Sequence, residues 1–366
     1  MNKKDLKIHI IGAGVSGLIA ARVLENHGFS PVIIEATDRV GGRVKTDLIG
    51  GYRLDHGFQV LLTAYPAAQK YLDYKALELQ NFLPGASIFS SNGHKIIGDP
   101  LRSPSLLFST LFSGIGTLRD KFKILKLNLY LKKKSLSNIF AAKEQTTHSY
   151  LQKFGFSEAI ITNFFRPFFS GIFLENQLQT SSRMFEFVYK MFGEGHATLP
   201  KSGIEAIPKQ LLENLKTTKF KYNTKVETLK ETEIILTNGT CIESDYTIIA
   251  SEASELVPNL NSQSINWKSC VTLYFETETR VINKQLIGLI SKPGSLVNNI
   301  FYNSSLKTRS KPARELLSVT VIDTQSLSHE ALVVAVKKEL LSYCGIKTIK
   351  LIEIYDVPKA LPKLDN

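Results

Sequence analysis

Residues 8–17 read I-H-I-I-G-A-G-V-S-G, a short β-branched run that leads into three glycines. The run predicts a buried strand over Ile8–Ile11, and the apolar residues after Gly17 keep helical spacing as far as Gly28. A second apolar run follows and ends at Glu35. Strand, tight turn, helix and strand make one βαβ unit, so we expect a parallel sheet.

The three glycines of the turn have the spacing of a dinucleotide-binding loop. Gly12 permits the turn, Gly14 lets the backbone approach a pyrophosphate, and Gly17 allows the helix to pack closely. The helix N-terminus faces the phosphates, and Glu35 would hold the ribose hydroxyls of an adenosine. The residues predicted to bind the cofactor here are Gly12, Ala13, Gly14, Val15, Ser16, Gly17 and Glu35.

A second glycine pair follows the carboxylate, in A-T-D-R-V-G-G-R at residues 36–43. A domain that binds only a nicotinamide dinucleotide does not need this stretch. It therefore indicates a larger cofactor.

With these motifs the sequence resembles the flavin-containing amine oxidase superfamily, which also holds phytoene desaturase-like and protoporphyrinogen oxidase-like enzymes. The resemblance covers essentially the whole chain. It implies FAD as the cofactor and an α/β fold, a Rossmann-like FAD/NAD(P)-binding domain with an inserted α+β substrate domain. The matching motifs are I-I-G-A-G-V-S-G, E-A-T-D-R-V-G-G-R, L-D-H-G-F-Q (54–59), N-F-F-R-P-F-F-S-G-I-F (163–173), L-P-K-S-G-I-E-A-I-P (199–208) and D-Y-T-I-I-A-S (245–251).

The resemblance also implies which later residues contact the cofactor. Residues 41–43 would wrap the flavin pyrophosphate and ribityl chain, and 55–59 would pass beside the isoalloxazine. Val226 would offer its backbone to the adenine, and Ala250 would lie near the dinucleotide. The implied contacts are Ala36, Arg39, Gly41, Gly42, Arg43, Gly57, Phe58, Gln59, Val226 and Ala250.

No catalytic side chain is nominated, because hydride transfer to a flavin mainly requires that the substrate C–H bond be held against the ring in a dry pocket. His56 is expected to pack or to form hydrogen bonds. Lys268 is only a positional candidate, since some amine oxidases use a lysine on a substrate-domain strand. No metal site is expected.

The expected domains are discontinuous. Residues 1–80 and 196–262 are assigned to the FAD-binding domain, 81–195 and 263–355 to the substrate domain, and 356–366 to a truncated return segment. Similar family members continue past a stretch matched by Ala360-Leu361-Pro362 into a further strand and helix. We therefore expect a fragment, or a protein that holds FAD poorly, whose first strand lacks one neighbour.

Residues 100–195 are predicted to be largely helical, and 220–250 to form short strands. Five phenylalanines between Phe164 and Phe173 either cover an apolar substrate cavity or form core packing, with Pro167 ending the helix. For Arg166, within this aromatic segment, a structural salt bridge is the favoured interpretation. The predicted strands are Tyr222–Val226, Glu233–Leu236, with a turn at Asn238-Gly239, and Tyr246–Ala250.

The composition is that of a globular protein, with 43% hydrophobic and 21% charged residues, and excludes bulk disorder. The net charge of +12 comes from 34 lysines and only 11 arginines, without a recognisable nucleic-acid module, so no nucleic-acid partner is expected. Three widely spaced cysteines support neither a disulfide framework nor a zinc site and fit the cytoplasm.

One helical segment, Leu118–Lys134, has an apolar stripe of Leu118, Phe122, Leu125 and Leu129 among lysines. The favoured interpretation is an ordinary helix with a solvated lysine face. The alternative is a helix that rests weakly on a membrane surface. The oligomeric state is not predicted.

The most specific functional prediction is FAD-dependent oxidation of an amine or apolar small molecule by hydride transfer. A desaturase or isomerase that acts on a polyene lipid is the alternative enzyme. A flavin-binding or truncated protein without turnover is the alternative outside enzymes.

Overall fold

The structure is a computed structural model that describes residues 5–90, 93–99, 102–263, 265–307, 314–324, 326–347 and 349–363. The chain forms two compact units, each made of separate stretches of sequence. The first unit contains Met1–Asp47, Ala67–Glu78 and Ser202–Asn266. The second unit contains Leu48–Pro66, Leu79–Lys201 and Trp267–Asn366.

The described residues contain both helices and strands, which are numbered here in chain order. The helices are α1 Val15–Asn26, α2 Pro66–Tyr71, α3 Leu107–Leu111, α4 Leu118–Lys133, α5 Leu136–Phe140, α6 Thr147–Phe154, α7 Glu158–Ile160, α8 Arg166–Phe173, α9 Ser182–Glu194, α10 Ala206–Glu213 and α11 His329–Cys344. The strands are β1 Ile8–Ile11, β2 Val32–Ile34, β3 Thr46–Ile49, β4 Tyr52–Asp55, β5 Leu61–Leu62, β6 Gln80–Asn81, β7 Gly85–Ser90, β8 Gly93–Gly98, β9 Ala197–Leu199, β10 Lys219–Lys221, β11 Val226–Leu229, β12 Glu233–Leu236, β13 Cys241–Glu243, β14 Tyr246–Ile249, β15 Trp267–Thr277, β16 Ile287–Ile290, β17 Val297–Tyr302, β18 Glu315–Val321 and β19 Ile349–Pro362.

The first unit is built on a four-stranded parallel sheet with the order β10-β2-β1-β14. The helix α1 connects β1 to β2, which confirms the predicted βαβ unit. Ile10 pairs with Ile33 on one side and with Ile248 on the other. The expectation that β1 lacks a neighbour is therefore wrong, because β14 returns to pair beside it and is itself at the edge.

The strands after β10 differ from the prediction at residues 222–229 and at β13, which was not predicted. Residues 222–225 are not a strand but connect β10 to β11. Asn223 adopts φ +51°, and the N–H groups of Asn223 and Thr224 donate to the carbonyls of Thr37 and Glu35. These hydrogen bonds turn the chain out of the parallel sheet. The predicted turn at Asn238-Gly239 is present, with Gly239 at φ +81°.

The second unit contains a seven-stranded sheet with the order β19-β15-β18-β17-β16-β7-β8. Only the β16 and β7 pair is parallel; the other neighbours are antiparallel. One face of this sheet packs on α11 through a core that includes Leu273, Phe275, Val319 and Val336. The other face carries the polar and aromatic residues considered below.

The helical region also belongs to the second unit, and its core settles the role of the phenylalanines. Phe165, Phe169 and Phe173 are buried in one cluster, and Phe164 and Phe168 also pack against it. Core packing is thus the correct interpretation of this segment.

The proline and the arginine of that segment behave differently from the predictions. Pro167 does not end the helix: a turn of π-helix, Ile161–Phe165, leads directly into α8, and Pro167 is its second residue. Arg166 forms no ion pair with any residue the structure describes, and its Nε is buried without a hydrogen-bond partner there. The favoured salt bridge is therefore not found.

The predicted domain boundaries differ from the observed units in several places. Residues 48–66 and 196–201, predicted in the cofactor domain, belong to the second unit, where β5 pairs with β9 and Tyr274 donates to the Asp55 carbonyl. Residues 356–362, predicted to return toward the cofactor domain, continue β19 along β15. Residues 364–366 lie outside the described residues. Within the described part, no helix is both long and apolar enough to cross a membrane.

His9 makes the stability of the first unit depend on pH. The side chain is buried in β1, with its Nδ1 2.9 Å from Ser244 Oγ. Burial lowers the pKa of His9, the positive charges of Lys221 and Lys7 lower it further, and Asp245 opposes them. The folded chain therefore favours neutral imidazole, so stability is complete above about pH 6.5, the ordinary value, and falls as pH drops toward the lower folded pKa.

We predict that shifting the solution from about pH 7.5 to about pH 5.5 destabilises the wild type more than His9→Asn, by up to about 1 kcal/mol. Thermal unfolding at both pH values measures the difference. His27→Asn, at an exposed histidine, is the control and should behave as the wild type does. Equal pH dependence in all three proteins would contradict the assignment to His9.

Candidate functional site

The first glycine turn has the geometry that its sequence predicts. Gly12 has φ +105°, and its N–H donates to the Ile34 carbonyl over 2.8 Å. A Cβ placed on Gly17 would lie 2.0 Å from the Gly12 oxygen. Only glycine at position 17 therefore lets α1 approach the end of β1 this closely.

The N-terminus of α1 is open for an anion. Gly14 is the N-cap residue, so no side chain caps the helix, and the first turn contains no acidic residue. A Cβ on Gly14 would meet no atom within 4 Å. Val15 is half-buried, and Ser16 is exposed. The backbone N–H groups and the positive end of the helix dipole are thus accessible to a phosphate.

The second glycine pair lies directly against the first turn. The Gly41 N–H donates to the Ala13 carbonyl over 2.9 Å, and Gly14 and Gly41 form an isolated parallel bridge. Gly42 has φ +58°, and a Cβ on it would lie 3.4 Å from the Gly14 Cα. The structure therefore brings together two glycine motifs that are separated by the whole of α1 and β2.

Glu35 connects β2 to this pair of turns. The buried carboxylate accepts a hydrogen bond from the Ala13 N–H at Oε2 (2.7 Å) and two from the Thr37 N–H and hydroxyl at Oε1 (both 2.8 Å). A carboxylate has about four acceptor positions, so capacity remains for a ribose hydroxyl. Thr37 is a site residue that the sequence analysis missed, although it lies within the E-A-T-D-R motif.

Arg39 holds the second turn in place. Its Nη2 donates to Asp47 Oδ1 over 2.7 Å, and its Nε lies 3.1 Å from Glu205 Oε1. The hydrogen bond to Asp47 raises the pKa of Arg39. Glu205 is buried and was not predicted, because it lies far from Arg39 in sequence. The direct contact of Arg39 with FAD stays a prediction.

The remaining predicted residues of the first unit have different surroundings. Ala250 follows β14, donates its N–H to the Ile11 carbonyl, and lies against both Gly12 and Gly17. Val226 is buried in β11 and packs in a cluster with Ile11. Ala36 and Arg43 are both exposed. The structure thus places Ala250 at the glycine turn, whereas the contact of Val226 with adenine stays a prediction.

Gly57, Phe58 and Gln59 lie in the second unit, on the face of the seven-stranded sheet opposite α11. Phe58 packs on Phe301 of β17, with ring centroids 5.6 Å apart. Gln59 Nε2 donates to the His56 carbonyl over 3.1 Å. Gly57 has φ +93°, and a Cβ on it would lie 3.5 Å from Val357.

Two candidates for catalysis are also located by the structure. His56 stacks on Tyr355 of β19, with ring centroids 4.4 Å apart, which is the packing role expected for it. Lys268 Nζ donates to the Phe173 carbonyl and to Thr180 Oγ1, and burial lowers its pKa. Lys268 lies six residues along β15 from Tyr274, which contacts Asp55, and six residues of strand span about 20 Å of backbone. Its bonds give it a role in holding the end of α8.

A row of polar residues crosses the sheet beside the 55–59 stretch. Thr272 pairs with Tyr355 on one side and with Thr320 on the other, and Thr320 pairs with Asn299. Paired residues of neighbouring strands point to the same face. The hydroxyls of Thr272 and Thr320 are buried and have no hydrogen-bond partner among the described residues. A buried hydroxyl without a partner is costly, so this row is a candidate for contact with a bound molecule.

The family model described as flavin containing amine oxidoreductase matches residues 15–353. The chain belongs to this family. Its resemblance to the family, inferred above from motifs, is thereby confirmed. FAD is the cofactor that this membership supports, and the open helix end, the two glycine turns and Glu35 fit its pyrophosphate and ribose.

Individual relatives are similar over parts of the chain. Protoporphyrinogen oxidase 2 of Arabidopsis thaliana is 28% identical over 167 residues, which are 45% of this chain and 32% of the relative. Polyamine oxidase 3 of Oryza sativa subsp. japonica is 27% identical over 128 residues, 31% of this chain and 26% of the relative. The chain thus matches about a third of the length of these relatives, or less.

A solved structure supports the fold over nearly the whole chain. An oxidoreductase from Methanosarcina mazei superposes with a TM-score of 0.73 and 16% identity, covering 96% of this chain and 87% of that one. At this identity the comparison shows the fold alone. It confirms the predicted α/β architecture.

We predict that Gly14→Ala and Gly17→Ala fail in different ways. The Gly14→Ala chain should fold normally, because its Cβ meets open space, but should lose bound FAD, because the methyl occupies the approach to the pyrophosphate. The Gly17→Ala chain should lose about 2–4 kcal/mol of stability, because its Cβ collides with a backbone oxygen.

Thermal unfolding of the apoprotein and flavin absorbance after gel filtration separate the two effects. Gly193→Ala, in α9 with open space around it, is the control and should keep both properties. A Gly14→Ala protein that retains stoichiometric FAD would show that the cofactor does not approach the backbone there.

Proposed function

We propose that the protein is an FAD-dependent oxidoreductase that oxidises an amine or an apolar small molecule. The observation that carries the proposal is the contact between the two glycine turns, joined by the Glu35 carboxylate, in a chain that matches the family over 15–353. When bound, the flavin supplies a two-electron acceptor for a hydride from the substrate. The first unit would bind the cofactor, and the second would bind the substrate.

The second unit contains a region whose chemistry suits such a substrate. The rings of His56, Tyr355, Phe58 and Phe301 form an apolar, aromatic region. Beside it, the Thr272–Thr320 row adds hydroxyls that have no hydrogen-bond partner among the described residues. The chain would hold the substrate's carbon skeleton against the rings and orient it by hydrogen bonds to the hydroxyls. Exclusion of water from this region would keep the reacting carbon dry.

The names of two relatives indicate which classes of substrate to propose. One is a protoporphyrinogen oxidase and the other a polyamine oxidase. An amine or an apolar ring system is therefore the class we propose. The reducing cytoplasm is the proposed compartment, because Cys241, Cys270 and Cys344 are all free thiols.

We predict that one class of candidate substrate bleaches the flavin under anaerobic conditions. The FAD-loaded protein is mixed with polyamines, a porphyrinogen or a carotenoid precursor, and the visible flavin absorbance is followed. The Gly14→Ala protein, expected to lack FAD, is the control for non-enzymatic changes. If dithionite bleaches the flavin but none of the three classes does, the protein binds flavin without this activity.

We predict that Thr272→Val and Thr320→Val each increase the stability of the protein and weaken its binding of substrate. Each change replaces a buried hydroxyl that lacks a partner in the described part of the chain with a methyl group of the same shape, so stability should rise by about 1 kcal/mol. The KM of the substrate found by bleaching should rise several-fold, while kcat changes less.

Thr198→Val is the matched control, because the buried Thr198 hydroxyl donates to the Leu61 carbonyl over 2.9 Å. It should be destabilised by about 1 kcal/mol. Loss of stability at Thr272 and Thr320 equal to that at Thr198 would mean that those hydroxyls are already satisfied.

A further inference from the structure

Exposed apolar side chains are concentrated in one short part of the second unit. Of the nineteen exposed large apolar side chains in the described part of the chain, ten lie between residues 107 and 140. Phe112 is 80% exposed, Phe108 73% and Phe122 72%. Such a concentration of exposed apolar side chains on a folded protein points to a site of interaction.

The helix α4 shows that this exposure is organised. It begins with a capping box formed by Thr117 and Asp120, and its inner face buries Leu127 and Leu131 in the helical core. The predicted stripe of Leu118, Phe122, Leu125 and Leu129 lies on the outer face and is exposed. The solvated lysines of the favoured interpretation are present, at Lys126, Lys132 and Lys133, and the apolar stripe is exposed between them.

The short helix α3 extends the surface. Lys121 Nζ of α4 donates to the Leu111 carbonyl at the end of α3 over 2.5 Å, which ties the end of α3 to the first turns of α4. We define the α3–α4 patch by its exposed members, which are Phe108, Leu111, Phe112, Leu118, Phe122, Leu125 and Leu129.

Lysines border the stripe of α4 on both sides. At 100° per residue, Lys121 and Lys132 flank it on one side, and Lys126 and Lys133 flank it on the other. Lys126, Lys132 and Lys133 are exposed. This pattern has apolar side chains in the centre and lysines at both edges. It matches the membrane interface, where apolar side chains contact acyl chains and lysines reach the anionic head groups.

We infer that the α3–α4 patch docks the protein on an anionic membrane surface. The phenylalanines enter the boundary of the acyl chains, and the exposed bordering lysines, Lys126, Lys132 and Lys133, bind the lipid phosphates. A second copy of the chain fits less well, because a two-fold interface through this patch would bring the same lysines face to face. The net charge of +12 acts in the same direction as the local lysines.

Flotation of the full chain with vesicles tests this inference without any measurement of turnover. Vesicles of phosphatidylcholine alone are compared with vesicles that contain phosphatidylglycerol, at low and at high salt. The wild type should bind the anionic vesicles about tenfold more strongly, and part of that binding should persist at high salt because of apolar insertion.

Two sets of substitutions separate the apolar and the electrostatic contributions. Phe108→Ser, Phe112→Ser and Phe122→Ser together should reduce binding at least tenfold at both salt concentrations. Their control is Leu48→Ser with Val334→Ser, at exposed apolar residues outside the patch. Lys126→Gln, Lys132→Gln and Lys133→Gln should reduce binding only at low salt, and their control is Lys338→Gln, Lys347→Gln and Lys350→Gln, also at exposed lysines.

Other outcomes would overturn the inference. Absence of flotation by the wild type at low salt would do so directly. A dimer in solution that the three phenylalanine substitutions dissociate, with no vesicle binding, would assign the patch to a second copy of the chain. Equal loss of binding in both control sets would show a non-specific effect of charge or hydrophobicity. Thermal unfolding checks that each variant is folded.

Discussion

The fit between the two glycine turns is the constraint on which the first unit depends. Gly17 allows α1 to approach the Gly12 carbonyl, and the Gly41 N–H then bonds to Ala13. Glu35 closes the arrangement from the end of β2, because its carboxylate accepts the Ala13 N–H. The buried charge is thus satisfied by the backbone that it positions. The same closure leaves the N-terminus of α1 uncapped, so the packing that stabilises the fold also presents its anion-binding end.

The βαβ unit could be predicted from the sequence because its determinants are local. Three glycines, an apolar strand and a carboxylate lie within 28 consecutive residues, Ile8–Glu35. The second neighbour of β1 could not be predicted in the same way, because β14 reaches it from more than 200 residues away. The loop at 222–225 was also missed, since the hydrogen bonds that form it come from Glu35 and Thr37, which sequence spacing does not place nearby.

In the second unit, prediction from the sequence is limited by strand register. The row of Thr272, Thr320 and Asn299 exists only through the register of three strands, and a shift by one residue would turn each side chain to the other face. Alternation in sequence shows that these strands have two faces. It does not show which residues meet across them. Arg166 is a related case, because its aromatic surroundings were evident from the sequence while the absence of a described ion-pair partner was not.

Features that folding alone does not favour are the most informative about function. An open Cβ position at Gly14, two buried hydroxyls without described partners and an exposed phenylalanine surface each cost stability or solubility in the isolated chain. The three features differ in chemistry. Gly14 leaves space beside N–H donors, Thr272 and Thr320 have hydroxyls without described partners, and the phenylalanine surface is an apolar area bordered by positive charge. The complements proposed above are an anionic cofactor, a substrate with a polar group and an anionic lipid surface. The three features lie on different elements, and the sequence motifs indicated only the first with comparable clarity.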